Sequence, residues 1–274
     1  YPGVSHRMRR LQIITGHYGT GKTEYAVNLA LSLAGADKKL ALADLDIVNP
    51  YFRAYEQAER LREAGIRVIV SSCGGAVDMP AIDPAVLSLF QDKSWSGVID
   101  IGGDPVGAHV LARFVDQLHP EDFDLLFVVN ANRPETHDLE GALLYLQAIE
   151  IACGQKVTGL VNNTHLCAQT TAREILKGAA LAHALSEATG LPVVQHAVQR
   201  RFVPEVRDQL AEPILPIDIY MKKQWEITME EDETTTNRKG YHPATVRPED
   251  MDKCVGCASC AKICPDSIIT VERS

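Results

Sequence analysis

Two groups of residues at opposite ends of the chain have the types and spacing to do chemistry. Near the start, Gly16-His17-Tyr18-Gly19-Thr20-Gly21-Lys22-Thr23 fits G-x-x-x-x-G-K-[ST]. Gly16, Gly19 and Gly21 let a loop wrap tightly and turn its backbone N–H groups inward, with Thr20 completing the wrap. Such donors, at the start of a helix, bind phosphate oxygens. In that arrangement Lys22 reaches the β- and γ-phosphates of a nucleoside triphosphate, and the Thr23 hydroxyl sits on Mg²⁺. Near the end, Cys254, Cys257, Cys260 and Cys264-Pro265 read C-x2-C-x2-C-x3-C-P. Thiolate is the ligand that iron–sulfur clusters prefer, so this run is expected to hold a [4Fe–4S] cluster. Zinc is the alternative that the C-P ending disfavours. In two-cluster ferredoxins the fourth Cys of each run serves the other cluster. Here there is one run, so Cys254, Cys257 and Cys260 share a cluster. Its fourth ligand is Cys264, a Cys of another subunit, or one from the nucleotide domain, with Cys264 preferred.

Carboxylates complete the first site. Asp100 ends an apolar strand, where a carboxylate that organises Mg²⁺ is expected. Asp100 to Gly103 reads D-x-x-G, so the Gly103 N–H is placed to sense the γ-phosphate, while Asp104 reads as a cap for the next helix. Asp44 and Asp46 close the second strand, and strand alternation sends both side chains the same way. One is suited to orient the attacking water and the other to hold a Mg²⁺-bound water. The catalytic set is then Lys22, Asp46 and Asp44. Solvation of a loop is the plainer reading of the two strand-end carboxylates.

The elements that must position these residues alternate between strand and helix. Strands are expected at Leu11–Thr15, Leu40–Leu45, Val68–Val70, Gly97–Ile101, Leu125–Val129, Thr158–Val161 and Pro192–Val194. Helices are expected at Thr23–Ala34, Val106–Leu118, Glu135–Ile151 and Thr171–Thr189. This order implies βαβ units, and the β-branched strands suit a sheet buried on both faces. The expected fold class is α/β: a mostly parallel P-loop NTPase sheet covered by helices, plus a small C-terminal ferredoxin-like [4Fe–4S] module. The domains are expected at 1–225 and 240–274, joined by an acidic polar linker over 226–239. A segment as short as the last one buries little core, and metal ligation would supply its stability.

Composition excludes other classes. The chain of 274 residues is 46% hydrophobic and carries a net charge of −9, without the basic footprint of a nucleic-acid binder. Arg7, Arg9 and Arg10 read as a solvated lead-in to the first strand. No apolar run approaches the roughly 20 residues of a membrane span. Tyr1–Arg10 lacks the apolar core of a signal peptide. Dense Cys spacing points to metal rather than disulfides, so the expected compartment is the cytoplasm. Cys73, Cys153 and Cys167 are expected as plain buried residues.

Residues 11–220 resemble the P-loop ATPases that include the nitrogenase iron protein and the septum-site and partition ATPases. The glycine loop, the D-x-D after the next strand and the D-x-x-G strand end carry the resemblance. It implies ATP, Mg²⁺ and a nucleotide-gated homodimer. It also implies that Asp46 positions water, that Asp44 and Asp100 serve the Mg²⁺ side, and that Asn162 contacts adenine. No N-K-x-D guanine signature is visible, which favours ATP over GTP. Those relatives carry Lys second in the loop, reaching across a dimer to the other subunit's phosphates. Here the second residue is His17, shorter and mostly neutral at pH 7, and Asp100–His109 has no Cys to bridge a cluster between subunits. His17–Glu24, Asp44–Arg53 and Asn162–Leu166 are similar to a group of bacterial ATPases that accompany 2-oxoacid:ferredoxin oxidoreductases. Residues 240–274 resemble the second half of the delta-type ferredoxin subunit of those enzymes. The resemblance implies oxidoreductase subunits or a ferredoxin-type electron partner. Two alternatives stand beside it: a maturation ATPase that delivers a cluster or metal to a client enzyme, and a structural electron-transfer subunit with a nucleotide-binding platform.

Overall fold

The computed structural model describes residues 8–35, 39–46, 57–70, 84–221, 229–231 and 244–246. The chain divides into two units, Tyr1–Met221 and Lys222–Ser274. In the first, strands β1 (Leu11–Thr15), β2 (Lys39–Leu45), β3 (Ile66–Val70), β4 (Trp95–Ile101), β5 (Phe123–Val129), β6 (Gly159–Asn162), β7 (Val193–Gln199) and β8 (Ile214–Ile217) form one eight-stranded sheet. Its order is β3-β2-β4-β1-β5-β6-β7-β8, and every pairing is parallel. Parallel strands need crossovers, and helices α1 (Lys22–Leu33), α2 (Ala58–Glu63), α3 (Pro84–Gln91), α4 (Pro105–Ala108), α5 (Leu139–Cys153), α6 (Ala172–Thr189) and α7 (Val203–Val206) lie between them.

Alternate residues along each strand feed two cores, one on each face. Ile14, Leu42, Val98, Leu126 and Val161 pack with Tyr25, Leu29 and Leu61 from α1 and α2. Ile13, Ala43, Ile99, Phe127 and Leu160 pack with Leu89, Leu146, Ile149 and Leu185 from α3, α5 and α6. Near-continuous apolar strands are what such double burial demands. The expected α/β architecture is the one observed. Among the described residues no helix is long and apolar enough to cross a membrane.

Three local expectations change. Val106–Leu118, expected as one helix, is α4 followed by 3₁₀ turns over His109–Gln117. Glu135–Ile151 starts later, at Leu139, because the Asp138 carboxylate accepts the Gly141 N–H at 2.9 Å and caps the helix there. Of the three arginines read as a solvated lead-in, Arg7 lies outside the described residues, and Arg9 and Arg10 are bonded to the body of the fold. The Arg10 guanidinium donates to the carbonyls of Leu89, Phe90 and Trp95, tying the end of α3 to the start of β4. Arg9 donates to Asp124 and to the Phe123 carbonyl. In the second unit, strands β9 (Met229–Glu231) and β10 (Ala244–Val246) pair antiparallel. β9 lies within the stretch expected as a linker.

Candidate functional site

The glycine loop joins β1 to α1 at the C-terminal edge of the sheet, where open parallel sheets bind ligands. Two of its glycines are demanded by their surroundings. At Gly16, with φ +140°, a Cβ would strike the Val128 carbonyl of β5. At Gly21, with φ +80°, a Cβ would lie 2.5 Å from Asn163 Nδ2. The loop is held from outside. Asn163 Nδ2 donates to the carbonyls of Thr20 at 2.8 Å and Gly21 at 3.2 Å. Arg133 Nε donates to the Gly19 carbonyl at 2.7 Å, and Thr20 Oγ1 to the His17 carbonyl at 2.8 Å. With these carbonyls engaged, the loop can present its remaining N–H groups to phosphate, that of Thr20 being given to the His17 carbonyl at 3.2 Å.

Sheet register brings the carboxylates beneath this loop. Asp100 on β4 lies beside Asp44 on β2 and Ile14 on β1. The Thr23 hydroxyl donates to Asp100 Oδ2 at 2.6 Å, whereas Asp100 Oδ1 is buried without a hydrogen-bond partner. An orphaned carboxylate oxygen beside a threonine hydroxyl is an oxygen donor set of the kind Mg²⁺ takes. These two residues therefore fit the ion that the motif implies. Burial pushes the Asp100 carboxyl up to about 7; the Lys22 ammonium opposes this, and the Asp44 and Asp46 carboxylates add to it. Such a cluster calls for a positive charge. Asp46 N donates to Asp44 Oδ1 at 3.2 Å, and both side chains are buried.

The D-x-x-G turn closes the other side. A Cβ on Gly103 would lie 2.6 Å from Lys22 Nζ, and one on Gly102 would lie 3.4 Å from Asp46 Oδ1. The Tyr145 hydroxyl of α5 donates to the Gly103 carbonyl. Asp104 caps α4 by accepting the Gly107 N–H at 2.6 Å. Gly16, Gly19, Thr20, Gly21, Lys22, Thr23, Asp44, Asp46, Asp100 and Gly103 are thus brought to one place.

Asn162 is not placed as the resemblance implied. It is fully buried at the end of β6. Its Nδ2 donates to the Ile175 carbonyl and to His196 Nδ1, and its Oδ1 accepts the Thr164 N–H. With its amide enclosed by protein, it has no face for a base. Its neighbour Asn163 is the residue that touches the loop. Asn162 also fixes a second cluster. His183 Nε2 and His196 Nε2 both lie 2.9 Å from the Glu212 carboxylate, an arrangement that could hold a metal. However, the Asn162 amide offers His196 a donor, so His196 Nδ1 bears the lone pair and Nε2 bears the proton. That tautomer makes the cluster a hydrogen-bonded latch joining α6, β7 and the approach to β8.

Sequence reasoning also missed a clamp on α1. The Glu24 carboxylate accepts the N–H groups of Tyr220 at 2.9 Å and Met221 at 3.0 Å. One turn later, Asn28 Nδ2 donates to the Asp218 carbonyl and Asn28 Oδ1 accepts the Asp218 N–H, both at 2.9 Å. Burial raises the Glu24 carboxyl, and these donors oppose the rise. The helix that opens at Lys22 is therefore fastened to the last residues of the first unit.

Cys153 is buried, as expected of a plain core residue, with its thiol on the Glu150 and Gln155 carbonyls. Cys167 is only partly buried and has φ +53°. Cys73 and the cluster ligands Cys254, Cys257, Cys260 and Cys264 lie outside the described residues. Residues 248–270, which hold those four cysteines, match the family described as 4Fe-4S binding domain. No curated protein matches the chain. Among solved structures, the signal recognition particle receptor FtsY from Elizabethkingia anophelis in complex with GDP is 17% identical. That match has a TM-score of 0.46 and covers 72% of this chain and 60% of that one. FtsY from Mycoplasma mycoides is 18% identical with a TM-score of 0.46, over 71% and 62%. Signal recognition particle 54 kDa protein from Aeropyrum pernix K1, in complex with GDP, is 20% identical with a TM-score of 0.44, over 69% and 41%. This chain thus spans less than two thirds of the length of those proteins. It combines a P-loop NTPase fold with a C-terminal 4Fe–4S binding domain.

Proposed function

We propose that the chain binds and hydrolyses ATP with Mg²⁺, and that this activity serves electron transfer through the C-terminal [4Fe–4S] cluster. The observation that carries the nucleotide half is the Thr23–Asp100 pair, with its orphaned oxygen, directly beneath the glycine loop. Mg²⁺ held by Thr23 and Asp100 would supply charge neutralisation at the phosphates. The loop N–H groups and Lys22 bind the phosphate oxygens. Asp46, buried between Asp44 and Gly102, orients the attacking water, and Asp44 would help to hold the ion. Phosphoryl transfer needs little more than such positioning and charge.

ATP is favoured over GTP by the residues after β6. They read Asn163-Thr164-His165-Leu166. Where a guanine site of the N-K-x-D kind places a carboxylate for the base's N–H donors, Leu166 has none. The resemblance of the motifs to the nitrogenase iron protein class, and of 240–274 to a delta-type ferredoxin subunit, supports a cytoplasmic partner of a 2-oxoacid:ferredoxin oxidoreductase-type complex. The Glu24 clamp supports coupling, because it ties the phosphate-binding helix to the residues that lead into the second unit.

An anaerobic redox titration of the cluster by EPR, with and without MgATP, tests the coupling. A midpoint that moves by tens of millivolts, or a changed signal, is the expected result. Superimposable titrations would reduce the chain to two tethered modules and favour the maturation reading.

A further inference from the structure

We infer that Tyr145 of α5 is a positioning residue for the D-x-x-G turn: its hydroxyl fixes where Gly103 stands against the glycine loop, and so how the turn meets a terminal phosphate. The inference rests on the ATPase reading above and concerns a residue that acts on that site from a separate element. Gly103 is buried. A Cβ there would lie 2.6 Å from Lys22 Nζ, 2.8 Å from the Gly16 carbonyl oxygen and 3.0 Å from Tyr18 N. The turn therefore lies against the first residues of the loop and beside the ammonium that reaches for the γ-phosphate. Gly19 and Gly21, by contrast, have Arg133, Asn163 and His165 as their nearest side chains. A shift of the turn is thus felt at the Lys22 end of the site and not along the whole loop.

The turn's own contacts shape it without placing it. Gly102 packs on Gly107, where its Cβ would lie 2.4 Å from Gly107 Cα, and Asp104 accepts the Gly107 N–H at 2.6 Å. Both contacts lie within one stretch of chain, 102–107, and move with it. Tyr145 comes from elsewhere. Its hydroxyl donates to the Gly103 carbonyl across 42 residues of sequence. Its ring packs on the His17 imidazole, with centroids 4.7 Å apart and planes 73° apart. One side chain thus touches the glycine loop with its ring and the turn with its hydroxyl. The helix that carries it is a fixed post. Ala142, Leu146, Ile149 and Cys153 bury one face of α5, and Asp138 caps its first turn. Burial pushes the Tyr145 phenol up to about 12, with the Asp104 and Glu135 carboxylates adding to the rise, so the hydroxyl stays a donor across the neutral range.

In hydrolysis the water oxygen bonds to the γ-phosphorus, and the bond from that phosphorus to the β–γ bridging oxygen breaks. ADP and orthophosphate result, and the proton lost by the water goes to a phosphate oxygen or to solvent. Positioning carries most of such a step, and a misplacement of about 1 Å costs roughly 10²-fold. Tyr145 acts in it through Gly103, without touching the nucleotide. Removing its hydroxyl leaves the ring on His17 and releases the turn to shift relative to Lys22. Binding and transfer of the γ-phosphate should then suffer. Binding of a diphosphate, which has no γ-phosphate to meet the turn, should not.

The test uses the full-length, cluster-loaded chain and its Tyr145→Phe and Tyr145→Leu variants. Three quantities are measured: kcat for ATP, the Kd of a non-hydrolysable ATP analogue, and the Kd of ADP. Tyr145→Phe keeps the ring and should fold as the wild type does. It is expected to lower kcat roughly 10-fold. The preference for the analogue over ADP should fall by about 3- to 10-fold, the worth of one neutral hydrogen bond, with the ADP Kd itself changed less than about twofold. Tyr145→Leu, which also removes the ring from His17, should weaken ADP binding as well. An unchanged kcat and preference in Tyr145→Phe overturn the inference. So does an equal weakening of analogue and ADP, which would make Tyr145 a brace for the whole loop, and so does a fall in kcat with the preference intact. A wild-type chain that binds the analogue but hydrolyses no ATP overturns the ATPase reading, and the analogue-to-ADP preference then decides this inference by itself. A hydrolysing wild type indifferent to the Tyr145 hydroxyl overturns only this inference.

Discussion

Replacing Glu24 with Gln tests whether the clamp on α1 holds the end of the first unit. The carboxylate accepts two backbone N–H groups, at 2.9 Å from Tyr220 and 3.0 Å from Met221, and Met221 is only 8% exposed. Glutamine keeps the shape but turns one acceptor oxygen into a donor, so one of those N–H groups loses its partner. A hydrogen bond to a charged group contributes about 1.5–3 kcal/mol, and an unmet buried donor costs about 1–3. The carboxylate is itself disfavoured by burial, which raises its pKa, so the net loss should fall near the low end, about 2 kcal/mol. At tenfold per 1.4 kcal/mol, the amides of Tyr220 and Met221 should exchange with deuterium roughly 30-fold faster. Amides of β1 and β5 should change less, because the loss is local. Hydrogen exchange read residue by residue checks this. Unchanged protection at both amides would refute the clamp, and a uniform loss across the sheet would mean that the contact is part of global stability instead.

Other outcomes follow from the same geometry. Lys22→Ala should abolish ATP hydrolysis while leaving the visible absorption of the cluster intact; simultaneous loss of both would mean that the two sites cannot be separated. Asn163→Ala removes the donor to the Thr20 and Gly21 carbonyls. It should weaken ATP binding by about 5- to 30-fold, for a loss of about 1–2 kcal/mol, measured by titration calorimetry. Burial holds the His196 pKa below its usual 6.5 despite Glu212. The unfolded chain therefore takes up the proton first, and this contribution to stability is complete above about pH 6.5 and lost as pH falls below it. Asp100, raised to about 7, acts with the opposite sign over the same range. The measurement is accordingly the difference between wild type and His196→Gln in urea midpoints at pH 7.5 and 5.5. The wild-type advantage should shrink at the lower pH, and an advantage that grows would contradict the buried neutral imidazole.

The strands and the phosphate loop were legible because their signals are local. Leu11–Thr15 is an unbroken apolar run that stops at a glycine, and the following residues spell the loop. Asp100 was legible for the same reason, as a charge at the end of an apolar strand. β8 was not: it is four residues long and contains Pro216, a residue confined to the edges of sheets. Arg133 and Glu24 lie far along the chain from the groups they hold, Gly19 and Tyr220, so no window of sequence contains the pair. Asn162 and Asn163 illustrate a subtler limit. They are adjacent and chemically identical, and the pleat decides which faces the loop. Asn162 ends β6 in register with His196, which turns its amide into the β7 side. Asn163, one residue on, faces the glycines. The residue type was readable, but its direction depended on register with a strand more than 30 residues away.

The first turn of α1 is anchored on two sides. Lys22, Thr23 and Glu24 are consecutive, and successive residues of a helix point about 100° apart. Thr23 is held by β4 through Asp100, whereas Glu24, with Asn28 one turn below on the same face, grips residues 218–221. A rigid turn cannot move toward phosphate on one side without moving its other side as well. The contacts on the Glu24 side have little slack: at 2.9–3.0 Å, a displacement of half an ångström takes them to the limit of a useful hydrogen bond. The terminal segment must then follow the helix or let go of it, and either response alters the residues immediately before Lys222. Tight packing makes the response stepwise rather than graded. The spacing of Lys22, Thr23 and Glu24 on a single turn is therefore the feature by which a movement of the glycine loop would reach residues 218–221.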